Sequence, residues 1–130
     1  MGYRHTVRVR YGECDMQSVV FNAHYLAYCD DAIDTWFRTT LAADGGMDHL
    51  GFDFMVKRVE LTWHRPLVFG ETADLDCSIS RWGRASFDVQ VDASCAGEER
   101  FTATLTYVSV VPKENVPTPV PERVRTLLDA

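Results

Sequence analysis

The sequence lacks the spaced cysteines, histidines and glycines that build metal sites and nucleotide loops. Its four cysteines, Cys14, Cys29, Cys77 and Cys95, include no Cys-x-x-Cys pair, so neither a zinc site nor a dithiol redox motif is indicated. No two histidines have metal-ligand spacing. Walker and Rossmann glycine patterns are also missing, so no nucleoside triphosphate or dinucleotide is implied. We therefore expect no metal and no cofactor.

Long hydrophobic runs and an excess of positive charge are missing as well. The apolar runs are far shorter than the roughly 20 residues of a membrane span, and the N-terminus has no apolar stretch typical of a signal peptide. The formal net charge of −6 argues against general binding of nucleic acid or anionic membranes. We expect a cytoplasmic protein that binds neither, and a single domain over residues 1–130, which is long enough for one core.

A strand pattern, an acidic loop and the only long helical pattern follow one another near the N-terminus. Apolar side chains alternate with arginines from Val7 to Tyr11, which predicts a half-buried strand leading to Asp15. From Asn22, the expected cap, apolar residues recur every three or four positions and predict a helix of about twenty residues. The apolar stripe comprises Leu26, Cys29, Ile33, Trp36, Phe37 and Leu41.

This order of elements suggests a hydrolytic site. A helix N-terminus presents unpaired N–H groups and partial positive charge, so it can polarise an acyl carbonyl. Asp15 precedes Asn22 by seven residues and can lie beside such a carbonyl. From spacing alone the alternative is that Asp15 is a loop or capping carboxylate, because acidic residues often precede helices.

The same stretch resembles the signature of the hotdog-fold acyl-CoA thioesterases. The most similar branch is that of 4-hydroxybenzoyl-CoA thioesterase and related bacterial short-chain acyl-CoA thioesterases, and the resemblance extends over roughly residues 4–112. It rests on Tyr11, Glu13, Asp15, Val19, Val20, Phe21 and Tyr25. It implies that Asp15 is the catalytic carboxylate, that the backbone N–H of Asn22 polarises the thioester oxygen, and that Tyr11 orients carboxylate or substrate. It also implies substrate contacts for Ser18, Val19 and Tyr25.

The sequence departs from that family at several site positions. Ser18 stands where many members have glycine, and Asn22 stands where some have a catalytic histidine. Asn22 cannot titrate, so it can only orient substrate or water. His24, in the first helical turn, is the histidine best placed to join the site, although the positive helix end favours its neutral form. The alternative is that His24 only lines the edge of the site.

Two further residues are rivals to Asp15. Some other hotdog lineages carry the catalytic carboxylate on the helix, where this chain has Asp31. Cys14 could act as a nucleophile, but the neighbouring carboxylate disfavours its thiolate. Cys29, Cys77 and Cys95 are interpreted as small buried residues.

The rest of the chain predicts four consecutive strands and a tail. The strands cover residues 54–63, 73–80, 87–95 and 101–111, and glycines at 45 and 46 end the long helix. Residues 112–130 form an extended proline-rich tail in which residues 122–128 could add a short helix. The resulting fold class is α+β, a hotdog fold with an antiparallel β-sheet wrapped around one long central α-helix.

The hairpin after the second of these strands is a candidate binding site for coenzyme A. Arg81 and Arg84 precede Ser86-Phe87, and this arrangement resembles the hairpin that contacts the nucleotide end in 4-hydroxybenzoyl-CoA thioesterase. The alternative is an ordinary charged hairpin tip. Coenzyme A enters this scheme only as part of the substrate.

The expected function is hydrolysis of an acyl- or aryl-thioester to free acid and thiol. The partners implied are an acyl-CoA or acyl-carrier-protein thioester and further copies of the chain, as a homodimer or homotetramer with the site between chains. Two alternatives remain open: a non-catalytic acyl-binding hotdog domain, and a hotdog hydratase or dehydratase, which would need an acid/base pair such as Asp15 with His24.

Overall fold

The computed structural model describes residues 2–129, so both ends of the predicted 1–130 domain lie just outside the described residues. The strands within that range are β1 (Tyr3–Arg8), β2 (Asp53–Trp63), β3 (Thr72–Trp82), β4 (Ser86–Cys95) and β5 (Glu98–Val110). The helices are α1 (Asn22–Leu41), α2 (Gly46–His49) and α3 (Glu122–Asp129), with 3-10 turns at Tyr11–Glu13 and Ala42–Asp44.

The described strands form one antiparallel sheet in the order β1-β3-β4-β5-β2. This confirms the α+β class and the four strands predicted after the long helix. Along β4 the side chains of Phe87, Val89 and Val91 are buried, while those between them lie on the other face. Register shifts interrupt the β2–β5, β3–β4 and β4–β5 pairings. Such bulges bend strands, which helps the sheet to curve around α1.

Helix α1 has the predicted length of 20 residues and packs across the apolar face of the sheet. Phe37 of α1 lies against Phe87 of β4, with ring centroids 5.7 Å apart. Burial of one such aromatic side chain contributes about 1.5–3 kcal/mol. Most of the predicted stripe is buried, but Leu26 is 41% exposed. Tyr25 and Tyr28 occupy the buried face instead, so Leu26 falls on the flank of α1.

The start of α1 differs from the prediction by one position. Phe21, with extended backbone, is the N-cap and Asn22 is the first helical residue, and no side chain caps the helix. Asn22 is therefore not the cap. At the other end α1 stops at Leu41, before the predicted glycines, and Gly45, with φ 90°, ends the 3-10 turn that follows it. The short α2 then fills part of the predicted loop.

The first strand also ends earlier than predicted. Pairing in β1 stops at Arg8, and Tyr11 lies in a 3-10 turn with 80% of its surface exposed. Val9 is buried as expected, but its N–H and C=O bond to Glu71 and Gly70 of a loop rather than to a strand. The chain turns because the Glu13 carboxylate accepts the backbone N–H of Arg10.

The predicted terminal helix is present as α3, but the tail before it is not extended throughout, because residues 112–114 form a turn in which the Asn115 N–H donates to the Val111 carbonyl at 3.0 Å. Val124 and Leu128 of α3 are buried in the core. The indole N–H of Trp82 donates to the carboxylate of Asp129 at 2.9 Å, and the guanidinium of Arg125 lies over the Trp82 ring. The helix thus closes one end of the molecule. None of the helices within residues 2–129 is long and apolar enough to cross a membrane.

Candidate active site

Asp15 begins the turn of a small hairpin that leads directly into α1. Its N–H donates to the carbonyl of Val19 at 2.9 Å, and Phe21 N–H donates to the carbonyl of Glu13 at 2.9 Å. Between these pairs Cys14 and Val20 form an antiparallel bridge. Asp15 pairs with Val19, three residues before Asn22, so the hairpin holds its backbone beside the segment that enters α1.

Ser18 occupies the position of this turn that requires a left-handed backbone. Its φ is 66°, and its N–H donates to the carbonyl of Asp15 at 3.0 Å. A type I turn followed by a left-handed residue is a common three-residue hairpin loop, and glycine suits the last position best. The chain therefore keeps the loop conformation that glycine would favour, although serine stands there.

The two carboxylate oxygens of Asp15 have different surroundings. Oδ1 accepts the N–H of Gln17 at 2.8 Å, the usual aspartate contact in a turn. Within residues 2–129 no hydrogen bond reaches Oδ2. The loop role considered from sequence thus occupies one oxygen and leaves the other available. A half-buried carboxylate with one free oxygen can attack an electrophile or accept a proton from water.

A cavity of about 690 Å³ lies over this carboxylate. Tyr11 and Phe69 form part of its wall, with their rings edge to face and 5.9 Å between centroids. The full lining is Tyr11, Gly12, Cys14, Asp15, Met16, Ser18 and Phe69. The structure therefore brings the predicted residues Tyr11, Asp15 and Ser18 to one cavity.

The first turn of α1 supplies free backbone donors beside the hairpin. The N–H groups of Asn22 and Ala23 have no partner within the helix, whereas the N–H of His24 already donates to Phe21 at 2.9 Å. Asn22 is exposed but does not line the 690 Å³ cavity, so its N–H lies at the helix start beside the hairpin and not within the cavity wall. The partial positive charge of the helix end favours a carbonyl oxygen of a ligand there.

The remaining residues predicted at this end lie outside the cavity. His24 is half-buried and packs against the Phe21 ring, with centroids 6.4 Å apart. Tyr25 is buried, and its hydroxyl accepts the N–H of Leu67 at 3.0 Å. Val19 pairs with Val68. The structure therefore does not join Asp15 and His24 into an acid/base pair.

Glu13 anchors the hairpin to α1, a role that sequence analysis missed. Its Oε1 accepts both the Arg10 N–H and the Tyr28 hydroxyl at 2.8 Å. Burial opposes ionisation of Glu13, but these two bonds and the Arg10 guanidinium hold its pKa below its ordinary value. The spacing of Arg10 and Glu13, as in a capping box, was the only local signal.

A loop between β2 and β3 forms the opposite wall. The carbonyl of Leu67 accepts the Val20 N–H at 2.9 Å, and Phe69 of the same loop reaches the cavity. No sequence pattern assigns this loop to the site, because the loop lies about fifty positions after Asp15 along the chain. Its contacts with Val20 and Tyr25 appear only in three dimensions.

The candidate coenzyme A hairpin lies at the end of strand β3 that is farther from Asp15. Strand β3 spans 11 residues, and the loop beside Asp15 precedes its start whereas Arg81 lies near its end. That separation is about 30 Å. Arg81 is held by Asp88 at 3.0 Å and by Ser86 at 3.1 Å, and the Arg81 guanidinium holds the pKa of Asp88 below its usual range. Among residues 2–129 no carboxylate pairs with Arg84.

The other titratable candidates occupy different surroundings. The Asp31 carboxylate lies at hydrogen-bond distance, 2.9 Å, from Nε2 of His5, beside a second cavity of about 450 Å³. All four cysteines are free; Cys29, Cys77 and Cys95 are buried as predicted. No group of three or more metal-ligating side chains occurs within residues 2–129.

Comparison with known proteins decides the family. The family model for the thioesterase-like superfamily matches residues 9–128, nearly the whole chain. The chain belongs to the thioesterase-like superfamily. This confirms the resemblance found at Tyr11 to Tyr25 and identifies the protein as a thioester hydrolase, and so as an enzyme. No curated protein is significantly similar to the thioesterase.

Solved structures confirm the hotdog fold of the thioesterase. A thioesterase superfamily protein from Jannaschia sp. CCS1 has a TM-score of 0.87 at 24% identity, covering 98% of this chain and 90% of its own. A 1,4-dihydroxy-2-naphthoyl-CoA thioesterase from Synechocystis has a TM-score of 0.80 at 16% identity, covering 98% and 96%. A gentisyl-coenzyme A thioesterase has a TM-score of 0.80 at 18% identity, covering 97% and 98%.

Proposed function

We propose that the thioesterase hydrolyses an acyl-CoA thioester with Asp15 as the reacting carboxylate and the Asn22 N–H as the oxyanion donor. The observation that carries this proposal is that Asp15, whose Oδ2 accepts no hydrogen bond within residues 2–129, lines the 690 Å³ cavity in the hairpin that leads into α1. A thioester seated there has its carbonyl oxygen at the positive helix end and its carbonyl carbon near the carboxylate.

The reaction proceeds either by general-base catalysis or by nucleophilic catalysis. As a general base, Asp15 removes a proton from water while the water oxygen bonds to the carbonyl carbon; the C–S bond then breaks and the thiolate takes up the proton. As a nucleophile, Asp15 itself bonds to that carbon, the thiolate leaves, and water hydrolyses the anhydride. In both routes negative charge develops on the carbonyl oxygen. One backbone donor at that oxygen lowers the barrier by about 2.7–4 kcal/mol. Tyr11 orients carboxylate or substrate from the cavity wall.

The acyl carrier is proposed to be coenzyme A, with an acyl-carrier protein as the alternative. The family of the chain supports this, as do solved relatives named for naphthoyl-CoA and gentisyl-CoA thioesters. Within one chain Arg84 is too far from Asp15 to bind the phosphates of the same coenzyme A. It can do so only if a second chain brings its hairpin to the site.

We propose a homodimer through β2, which would bring a second chain to the site. Strand β2 is an edge of the sheet with unpaired backbone groups, and Met55 and Val56 on it are about half exposed. Beside them Leu26 lines an apolar groove of about 330 Å³ between α1 and β2. Pairing of two such edges would bury this surface and close the groove, which begins at Ala23 next to the proposed oxyanion donor.

Thiol release from a panel of aryl- and aliphatic-CoA esters tests the function. We expect release by the wild type and a loss of several orders of magnitude in Asp15→Asn, which keeps the turn contact to Gln17. The matched control is Asp31→Asn, an exposed carboxylate on α1, and it should retain activity. Full activity in Asp15→Asn would contradict the assignment of the carboxylate. Loss in Asp31→Asn alone would move the site to the His5 cavity.

A further inference from the structure

A nearly buried ion pair lies behind the candidate site and outside its cavity. The guanidinium of Arg100 donates to both carboxylate oxygens of Glu71, at 2.8 and 2.6 Å, and only 9% of the Arg100 side chain is exposed. The same guanidinium donates to the carbonyl of Pro66 at 3.0 Å and to Glu98 at 2.9 Å. A planar arginine bonded in this way fixes the orientation of every partner.

The loop 64–71 is held at its start by the backbone of Arg100, and at Pro66 and Val68 by the ion pair itself. At the start of the loop, the backbone carbonyl of Arg100 accepts the N–H groups of His64 and Arg65 at 2.8 and 3.0 Å. At the other end, Glu71 accepts the Val68 N–H on Oε1 at 2.8 Å. The loop therefore has little freedom to move while the pair is intact.

This loop is the wall opposite Asp15. It contacts the Asp15 hairpin through the Leu67–Val20 hydrogen bond and the Val19–Val68 bridge, and it places Phe69 at the cavity. The loop also bonds to α1, and so joins the hairpin to the helix start.

We infer that Arg100 and Glu71 are positioning residues of the thioesterase, which fix the loop 64–71 so that the Asp15 hairpin and Phe69 keep the geometry that the reaction needs. This inference rests on the proposed function of Asp15. Neither residue lines the cavity, so both act through the loop. A displacement of about 1 Å at a reacting group can reduce the rate about 100-fold.

The charge state of the pair is constant over the working range of an enzyme near neutral pH. Hydrogen bonds from Arg100, acting against burial, lower the pKa of Glu71 to about 2. Glu71 is therefore ionised throughout that range, so its own titration does not change turnover with pH near neutrality. A positioning role thus predicts a lower rate with an unchanged pH dependence.

Four variants test the inference. Glu71→Leu removes the ion pair, and Glu71→Gln keeps an oxygen that can accept the Val68 N–H. Arg100→Lys keeps the positive charge but loses the guanidinium that donates to both oxygens of Glu71. Asp44→Asn is the control, because it removes the charge of another arginine–carboxylate pair, with Arg123, that has no member in the loop 64–71. We measure kcat and KM on the best thioester, the pH profile of kcat, and amide hydrogen exchange at Val20.

We expect kcat to fall about 10- to 100-fold in Glu71→Leu with KM changed by less than about threefold. Glu71→Gln and Arg100→Lys should recover part of the loss, the acid limb should keep its midpoint, and Val20 exchange should accelerate in step with the loss. Equal losses in Asp44→Asn, a displaced acid limb, or faster Val20 exchange without loss of kcat would each overturn the inference.

Failure of the proposed function is separable from failure of this inference. A wild type that releases no thiol from any ester would contradict the proposed function. The Val20 amide still reports on the loop in that case, and unchanged exchange in Glu71→Leu would overturn the positioning role by itself.

Discussion

The hydroxyl of Tyr28, in the second turn of α1, donates a 2.8 Å hydrogen bond to the carboxylate of Glu13 at the foot of the Asp15 hairpin. Within residues 2–129 this bond is one of two side-chain hydrogen bonds that join the site to α1; the other runs from the Leu67 N–H to the Tyr25 hydroxyl. Both links come from tyrosines on the buried face of α1. The helix therefore fixes the hairpin and the opposite loop from one surface.

Loss of the Tyr28 hydroxyl should destabilise the fold near neutral pH. Tyr28→Phe leaves Glu13 with one donor fewer, and hydrogen bonds to a charged group contribute about 1.5–3 kcal/mol. We expect a decrease of that order in the free energy of unfolding, measured with urea at pH 7. Tyr3→Phe is the control, because no residue within 2–129 bonds to the Tyr3 hydroxyl.

The difference between Tyr28→Phe and wild type should depend on pH. The pKa of Glu13 is lowered in the folded protein, so its ionisation stabilises the fold above the unfolded value of 4.5 and that contribution disappears as pH falls through the folded value. Urea unfolding at pH 7 and pH 3 should therefore give a smaller difference at pH 3. An equal difference at both values would mean that the Tyr28 bond does not depend on the Glu13 charge.

Position 18 should prefer glycine. Ser18→Gly removes the strain of a left-handed backbone at an exposed site, but glycine also raises the conformational entropy of the unfolded chain. The net effect should be an increase of about 0.5–1 kcal/mol in the free energy of unfolding. Ser18→Val should lower the free energy of unfolding by more than about 1 kcal/mol and reduce turnover, because a β-branched residue opposes the turn that presents Asp15. Gln17→Val alters the same turn without a positive φ and should change both quantities little.

Stability and activity should separate at α3. Leu128→Ala removes a buried side chain at the end of the molecule far from Asp15 and should cost about 2–5 kcal/mol. Thermal unfolding should detect this, while kcat at a temperature where the protein stays folded is unchanged. Thr126→Ala, on the exposed side of α3, is the control. A large fall in kcat in folded Leu128→Ala would show that this end takes part in the reaction.

A charge on the edge of β2 should prevent the proposed dimer. Val56→Lys places an ammonium on the free edge, which opposes strand pairing between chains. We expect sedimentation to give a monomer and thiol release to fall. Val116→Lys is the matched control, because Val116 is similarly exposed, at 53% against 49%, but lies in the tail. A dimer that persists in Val56→Lys would exclude this edge as the interface.

Periodic segments were predictable because their side chains repeat the geometry of their own backbone. The alternation of β4 and the stripe from Cys29 to Leu41 gave the correct elements and buried faces. The order of strand, acidic loop and helix also placed Asp15 near a helix start correctly. Its catalytic role, the roles of the other proposed site residues, the oligomer and the cytoplasmic location stay predictions.

Positions at the ends of elements were harder to predict. Asn22 has a typical capping side chain, yet the hairpin sets the helix phase so that Phe21 takes the N-cap position. Leu26 fits the stripe by spacing but falls on its flank. The pair Arg100–Glu71 spans 29 positions and leaves no local pattern at all. Such contacts depend on how the loop 64–71 folds back, which no window of sequence contains.

Trp63 gives the thioesterase a fluorescence signal at the free edge of β2. It ends β2 on the free edge, about half exposed, and its ring meets Tyr25 edge to face with 5.9 Å between centroids. The other two tryptophans differ in setting: Trp36 stacks on Tyr3 in the core, and Trp82 lies under α3. The wavelength of Trp63 emission is therefore sensitive to events at the β2 edge and the helix start, where water now reaches the indole.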